Sequence, residues 1–232
     1  MATTKKILFL HGYMQSGDLF LRKVSGLRKA LKKEFGYFGC FPDGPVQVHA
    51  PDSADPEERA RLYQSAVGEE MFGWWVLEKG VYAGAEKTFP LLREYMLAEG
   101  PFEGVVGFSQ GAAVAAALCA AMPTVMPDVP PLKFGVFYSG FLPEAPFRQY
   151  FETKLAVPSL HVLGSVDTLV SEERTLALYD ACAEDTRTLY RHPGGHFVPN
   201  SKDTVAVITG WVRNATAPPA PATPDDDGWE SA

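Results

Sequence analysis

The sequence predicts an α/β fold: a mostly parallel sheet of about six strands with helices on both faces. Three observations carry this. Short apolar runs alternate with helix-like segments along the chain, which implies right-handed crossovers between parallel strands. Several of those runs, KFGVFYSG and PSLHVLGS among them, end in Ser and Gly where loops begin. The chain has 232 residues, 46% of them hydrophobic, enough for one substantial core.

Taken in order, KKILFL is a strand that stops at His11-Gly12. LRKVSGLRKALKK, Leu21 to Lys33, follows as an amphipathic helix with Leu21, Val24, Leu27 and Leu31 on one face and basic side chains around the other. GYFGCFPDGP is rich in turn residues, and VQVHAPD, Val46 to Asp52, is a second strand. The stretch from about 53 to 84 mixes charge with aromatics and is expected to form a cap or pocket wall. A helix follows from about Ala85 to Ala98.

GPFEGVVGFSQGAAVAAALCAAMP then reads as strand, tight turn and Ala-rich helix, closed by Pro123, which would break a helix interior. SEERTLALYDACA is helical, with Ser171 as N-cap and Glu172 and Glu173 complementing the helix dipole. TRTLYRH is the last strand and SKDTVAVITGWVRN the last helix. The folded domain is expected to run over residues 1–214. From Ala215 to Ala232 the composition turns to Pro, Ala and Asp without apolar periodicity, and disorder is expected.

Composition excludes several classes. A formal charge of −7 disfavours a nucleic-acid partner, because phosphate binding needs clustered positive charge. No run approaches the roughly 18 consecutive apolar residues of a membrane span, and the start MATTKKILFLHG does not fit a signal peptide. Cys40, Cys119 and Cys182 are far apart and odd in number, which suits a reducing compartment. A cytoplasmic location is therefore expected.

The chemistry centres on Gly107-Phe108-Ser109-Gln110-Gly111, which matches G-x-S-x-G between a strand and a helix. Such a turn strains the serine by about 1–3 kcal/mol and requires small neighbours where strand and helix crowd. It exposes the Ser109 hydroxyl and sets the Gln110 amide where an oxyanion would form. A serine hydroxyl needs a general base and a group to orient it.

Among the histidines, His161 reads as core, His49 precedes the serine, and His11 reads as a loop-shaping hydrogen bonder. His192 and His196 follow the last strand in RHPGGHFVP, and His196, after Gly194-Gly195, is the expected base. Pro193-Gly194-Gly195 rules out the helix that an H-x-x-x-H zinc pair relies on, so no metal is expected. Asp167, in the loop after HVLGS, is the expected orienting acid, giving the order Ser, Asp, His found in α/β-hydrolases. The amide of Tyr13, or of Met14, after the LHG turn is the expected second oxyanion donor.

ILFLHGYMQSG, FGWWVLE, GPFEGVVGFSQGAA, FYSGF, LHVLGSVDTLV and HPGGHFVP together resemble the fungal-type family of serine hydrolases abbreviated FSH, from Lys6 to about Trp211. The resemblance implies a compact α/β-hydrolase without the first antiparallel strands, with Ser109, Asp167 and His196 as triad and no cofactor. The family also includes stand-alone thioesterases of fungal polyketide pathways.

The expected reaction is acyl transfer from a carboxylic ester to Ser109 and then to water. Met14, Phe72, Trp74, Trp75, Phe141 and Phe197 are expected to contact an apolar acyl group. An acyl thioester on a carrier protein is the alternative substrate, with the basic Leu21 to Lys33 helix as contact for an acidic carrier. A binding protein on an inactive hydrolase fold is the alternative class; the presence of Ser109, Asp167 and His196 favours the enzyme.

Overall fold

The computed structural model describes residues 4–49 and 70–218. Six parallel strands form the central sheet in the order β10-β9-β8-β7-β1-β2. These are β1 (Lys6–Leu10), β2 (Phe38–Cys40), β7 (Phe102–Phe108), β8 (Phe134–Tyr138), β9 (Ser159–Gly164) and β10 (Arg187–His192). The middle strands β8 and β9 are buried along their whole length, as parallel strands covered on both faces must be.

Two apolar layers sandwich the sheet. On one face Phe20, Val24, Leu27 and Leu31 of helices α1 (Gly17–Lys23) and α2 (Ser25–Phe35) pack with Ile208 and Val212 of α6 (Lys202–Ala215). On the other, α3 (Thr88–Glu99), α4 (Gln110–Val125) and α5 (Glu172–Asp180) cover the sheet. The run of alanines in α4 is wholly buried, which lets that helix lie close against β7 and β8. Ser171 and Ser201 cap α5 and α6, their hydroxyls accepting from the Arg174 and Thr204 amides.

Three expectations need correcting. The sixth strand of the sheet is β2, inside the turn-rich GYFGC, and not Val46–Val48. That segment, β3, pairs antiparallel with β4 (Met71–Gly73) in a separate two-stranded sheet. The basic segment is not one helix but two, because it kinks at Val24 (φ −96°, ψ 18°) ahead of a Ser25-Gly26 pair, a known kink-former. Gly26 lets the Asn200 side chain approach: a Cβ would meet Asn200 Oδ1 at 2.3 Å. Leu21 is only half-buried. Pro123 lies inside α4, which continues to Val125; so near the C-terminus its missing N–H costs a single bond of the ladder.

The part of the expected wall segment from residue 53 to 69 lies outside the described residues, as does the part of the expected tail from residue 219. The described remainder of the wall is β4 followed by the hairpin of β5 (Val76–Glu78) and β6 (Val81–Ala83). Among the described residues, no helix is long and apolar enough to cross a membrane.

Candidate active site

The turn after β7 has the shape its sequence requires. Ser109 sits at φ 53°, ψ −116°, a conformation rarely open to a residue with a side chain, and its amide is anchored to the Tyr138 carbonyl at 2.8 Å. Both flanking glycines are steric necessities. A Cβ on Gly107 would lie 2.4 Å from the Gly111 carbonyl oxygen, and one on Gly111 would lie 2.2 Å from that of Leu10. The first turn of α4 is thus pressed against the ends of β7 and β1, and Ser109 is pushed out over the sheet edge.

The loop after β10 delivers His196. Gly164 has no side chain because the backbone of Gly194-Gly195 lies over it: a Cβ there would meet both carbonyl oxygens at 2.6 Å. His192 shapes this loop, its Nδ1 accepting from the Gly194 amide at 3.2 Å, and burial holds its pKa below the ordinary histidine value. His196 Nε2 lies 3.0 Å from Ser109 Oγ, and its Nδ1 lies 2.8 Å from Asp167 Oδ2. The imidazole packs on the Phe108 ring at 4.8 Å between centroids.

Asp167 is fixed from the other side. Its Oδ1 accepts from the Leu169 and Val170 amides, both at 2.9 Å, and its side chain is 1% exposed. Burial opposes its charge, but the Val170 amide and the His196 ring outweigh that, so the carboxyl ionises below the ordinary aspartate range. A carboxylate facing Nδ1 requires the proton on Nδ1, which leaves Nε2 to accept from the serine hydroxyl.

His11 and His161 are built into the fold. His11 is buried, with Nδ1 donating to the Gly12 carbonyl at 2.7 Å and Nε2 accepting from the Gly44 amide at 2.9 Å; burial lowers its pKa. His161 lies in the middle of β9 against Ser159 and Cys182, and burial brings its pKa to about 3. His49 is exposed. Among the described residues no three His, Cys, Asp or Glu side chains converge as a metal site would require. All three cysteines are free thiols.

A cavity of about 620 Å³ opens at Ser109 and His196. Tyr13, Met14, Gln110, Phe141 and Phe197 line it with them, so seven of the sequence-selected residues meet there. The Gln110 amide opens α4 and has no partner within that helix. Met14, at φ 55°, turns the loop after β1 beneath the cavity.

Phe72, Trp74 and Trp75 are placed elsewhere. Phe72 pairs through its backbone with Gln15 and faces a separate surface hollow. Trp74 is fully buried, its indole N–H donating to the His11 carbonyl at 2.9 Å. Trp75 is 3% exposed and stacks on Tyr82. Both tryptophans are held by the Gln110 side chain, whose Oε1 accepts from the Trp74 amide at 2.8 Å and whose Nε2 donates to the Trp75 carbonyl at 2.9 Å. Sequence reasoning used only the backbone of Gln110; nothing in G-x-S-x-G signals the reach of that side chain. Leu169, Val170, Lys23 and Arg174 are further lining residues that it missed, because only the packing of α1 and α5 brings them to the serine.

The parallel sheet, the strained serine turn after β7 and the covering helices define an α/β-hydrolase fold. A family model described as "Serine hydrolase (FSH1)" matches residues 1–208, and the chain belongs to that family. It is 37% identical to Family of serine hydrolases 3 of Saccharomyces cerevisiae, over 94% of this chain and 86% of that protein. It is 33% identical to the esterase OVCA2 of Homo sapiens, over 84% of this chain and 89% of that one. Among solved structures, acyl-protein thioesterase 2 of Zea mays shares the fold with a TM-score of 0.59 at 19% identity, covering 93% of this chain and 95% of its own.

Proposed function

We propose that this protein hydrolyses carboxylic esters with an apolar acyl group through an acyl-enzyme on Ser109. The observation that carries the reading is the unbroken hydrogen-bonded line from Ser109 Oγ through His196 to Asp167. His196 Nε2 takes the hydroxyl proton as Oγ bonds to the substrate carbonyl carbon. The carbonyl π electrons move to oxygen, and the amides of Gln110 and Tyr13 stabilise that oxyanion. Collapse expels the alcohol, which receives the proton from His196. Water, deprotonated by the same imidazole, then releases the acid and restores Ser109. Asp167 stays ionised throughout, offsetting the imidazolium charge. No cofactor enters the scheme.

The wall around Ser109 supports an apolar acyl group, since Met14, Leu19, Phe141, Leu169 and Phe197 all face it. A thioester carried by an acidic carrier protein is the second reading, favoured by the exposed Lys29, Lys32 and Lys33 on α2, the helix that follows cavity-lining Lys23. The free thiols suit a reducing, cytoplasmic setting in either case.

The test is turnover of p-nitrophenyl esters from acetate to decanoate beside matching thioesters, with Ser109→Ala as control. Activity should rise with acyl length to octanoate, and Ser109→Ala should lose about 10⁴-fold or more. Full activity in that variant would remove Ser109 as nucleophile. Absence of a fluorophosphonate adduct on Ser109 in folded protein would favour a binding protein on a silent hydrolase fold.

A further inference from the structure

Apart from the catalytic histidine, the described wall of the Ser109 cavity has two side chains that carry a charge near neutral pH, Lys23 and Arg174. Both are cations, and no carboxylate joins them there. This runs against the composition of a chain whose formal charge is −7.

Among the described residues, neither cation is paired with a carboxylate. Lys23 ends α1 half-buried, and among the described residues no acid pairs with it. Burial without a counter-charge pulls its pKa below the ordinary lysine value. Arg174 lies in the first turn of α5, where a positive charge opposes the helix dipole. Its guanidinium sits 4.4 Å over the Phe141 ring and donates to the Leu169 carbonyl at 3.4 Å. The nearby Glu172 is taken by Arg191 at 2.6 Å, so among the described residues no carboxylate pairs with Arg174 at the cavity mouth.

The two come from opposite sides of the nucleophile strand. α1 follows β1, which borders β7 on one side, and α5 follows β9, which lies beyond β8 on the other. A substrate threaded past Ser109 therefore meets a cation whether it extends one way or the other.

We propose that the natural substrate carries an anionic group, a carboxylate or a phosphate, and that Lys23 and Arg174 select it. This rests on the ester-hydrolase reading and specifies its substrate class. The anion occupies the acyl part or the leaving group, and charge pairing with the half-buried Lys23 and the exposed Arg174 supplies the preference.

Two matched pairs decide the matter. Mono-p-nitrophenyl glutarate against p-nitrophenyl valerate tests the acyl side, and butyryl-4′-phosphopantetheine against butyryl-pantetheine tests the leaving-group side. In at least one pair kcat/KM should favour the anion by about tenfold at low salt, and the ratio should shrink at 1 M NaCl. Lys23→Glu or Arg174→Glu should invert that ratio, whereas Lys23→Arg should preserve it. Because the readout is a ratio within one preparation, a general loss of activity does not imitate the effect, and the wild-type ratio and its salt dependence stand even if a variant misfolds. Ratios at or below one in both pairs, in an enzyme that turns over the neutral members, would overturn the proposal and leave the hydrolase reading intact. A preference surviving in the folded Lys23→Gln/Arg174→Gln double variant would also overturn it. No turnover of any ester or thioester, with Ser109 unlabelled, would sink the hydrolase reading and this proposal with it.

Discussion

Ser109 is held in its strained conformation by contacts that leave no room for change beside it. Gly111 is the sharpest case, since a methyl group there would meet the carbonyl oxygens of Leu10 and His11 at 2.2 and 2.3 Å, both backbone atoms of the sheet edge. Gly111→Ala is therefore expected to cost about 3 kcal/mol or more, read as a large drop in Tm by circular dichroism. A near-native Tm would mean that the helix stands farther from β1 than described. Asp167 offers a complementary prediction, because its role is orientation. Asp167→Asn retains an acceptor for the Leu169 and Val170 amides, so the fold should persist. Its amide can no longer hold the proton on His196 Nδ1, and kcat should fall by about 10⁴. The variant should still unfold cooperatively in a urea titration, with a midpoint only modestly lowered by loss of the carboxylate charge; loss of both folding and activity would assign Asp167 a structural role instead.

At the scale of elements, the nucleophile turn and the Trp74-Trp75 segment behave as one unit, joined by the Gln110 side chain across a buried interface. Gln110→Met keeps the volume and the backbone amide but leaves the Trp74 N–H and the Trp75 carbonyl unpaired. The expected cost is about 2–4 kcal/mol, measured by urea unfolding, with a change in tryptophan fluorescence. An unchanged midpoint would show that the clamp contributes nothing. This clamp also marks what the sequence could and could not tell. Ser109, Asp167 and His196 were legible because each follows a recognisable strand, and chain order did the rest. Trp74 and Trp75 read as pocket aromatics because local pattern does not say which side of a wall a ring faces. Similarly, β2 was hidden: three residues with a central glycine at a sheet edge carry no periodicity, while Val46–Val48 looks like a strand without revealing its partner. Lys23 read as one more charge on a solvated face, and only the kink at Val24 and the packing of α1 bring it to the cavity.

Across the whole molecule, three buried histidines and one buried aspartate make stability depend on pH in one direction. His11, His161 and His192 all have pKa values lowered by burial, and Asp167 ionises below its usual range. The sign follows from proton counting. An unfolded histidine binds its proton near pH 6.5, whereas His161 in the folded protein resists until about pH 3. Between those values the unfolded state carries more protons, so stability falls as pH falls, by up to about 1.4 kcal/mol per pH unit for each such group. Asp167 adds to the loss only lower down, as pH drops through the unfolded aspartate pKa of roughly 3.9 toward its folded value. His161 is the group to isolate, since it sits in the middle of β9, flanked by Phe137 and Tyr179 and remote from the proposed catalytic line. Its Nδ1 has no hydrogen-bond partner, so a proton added there would be buried unsolvated. His161→Met replaces the ring with an apolar chain that does not titrate. Its absolute stability will shift with packing, but its urea midpoint should fall less than that of the wild type between pH 7 and pH 5. Equal losses in the two proteins would show that acid sensitivity resides in His11, His192 or the chain's overall charge rather than in the buried centre of the sheet.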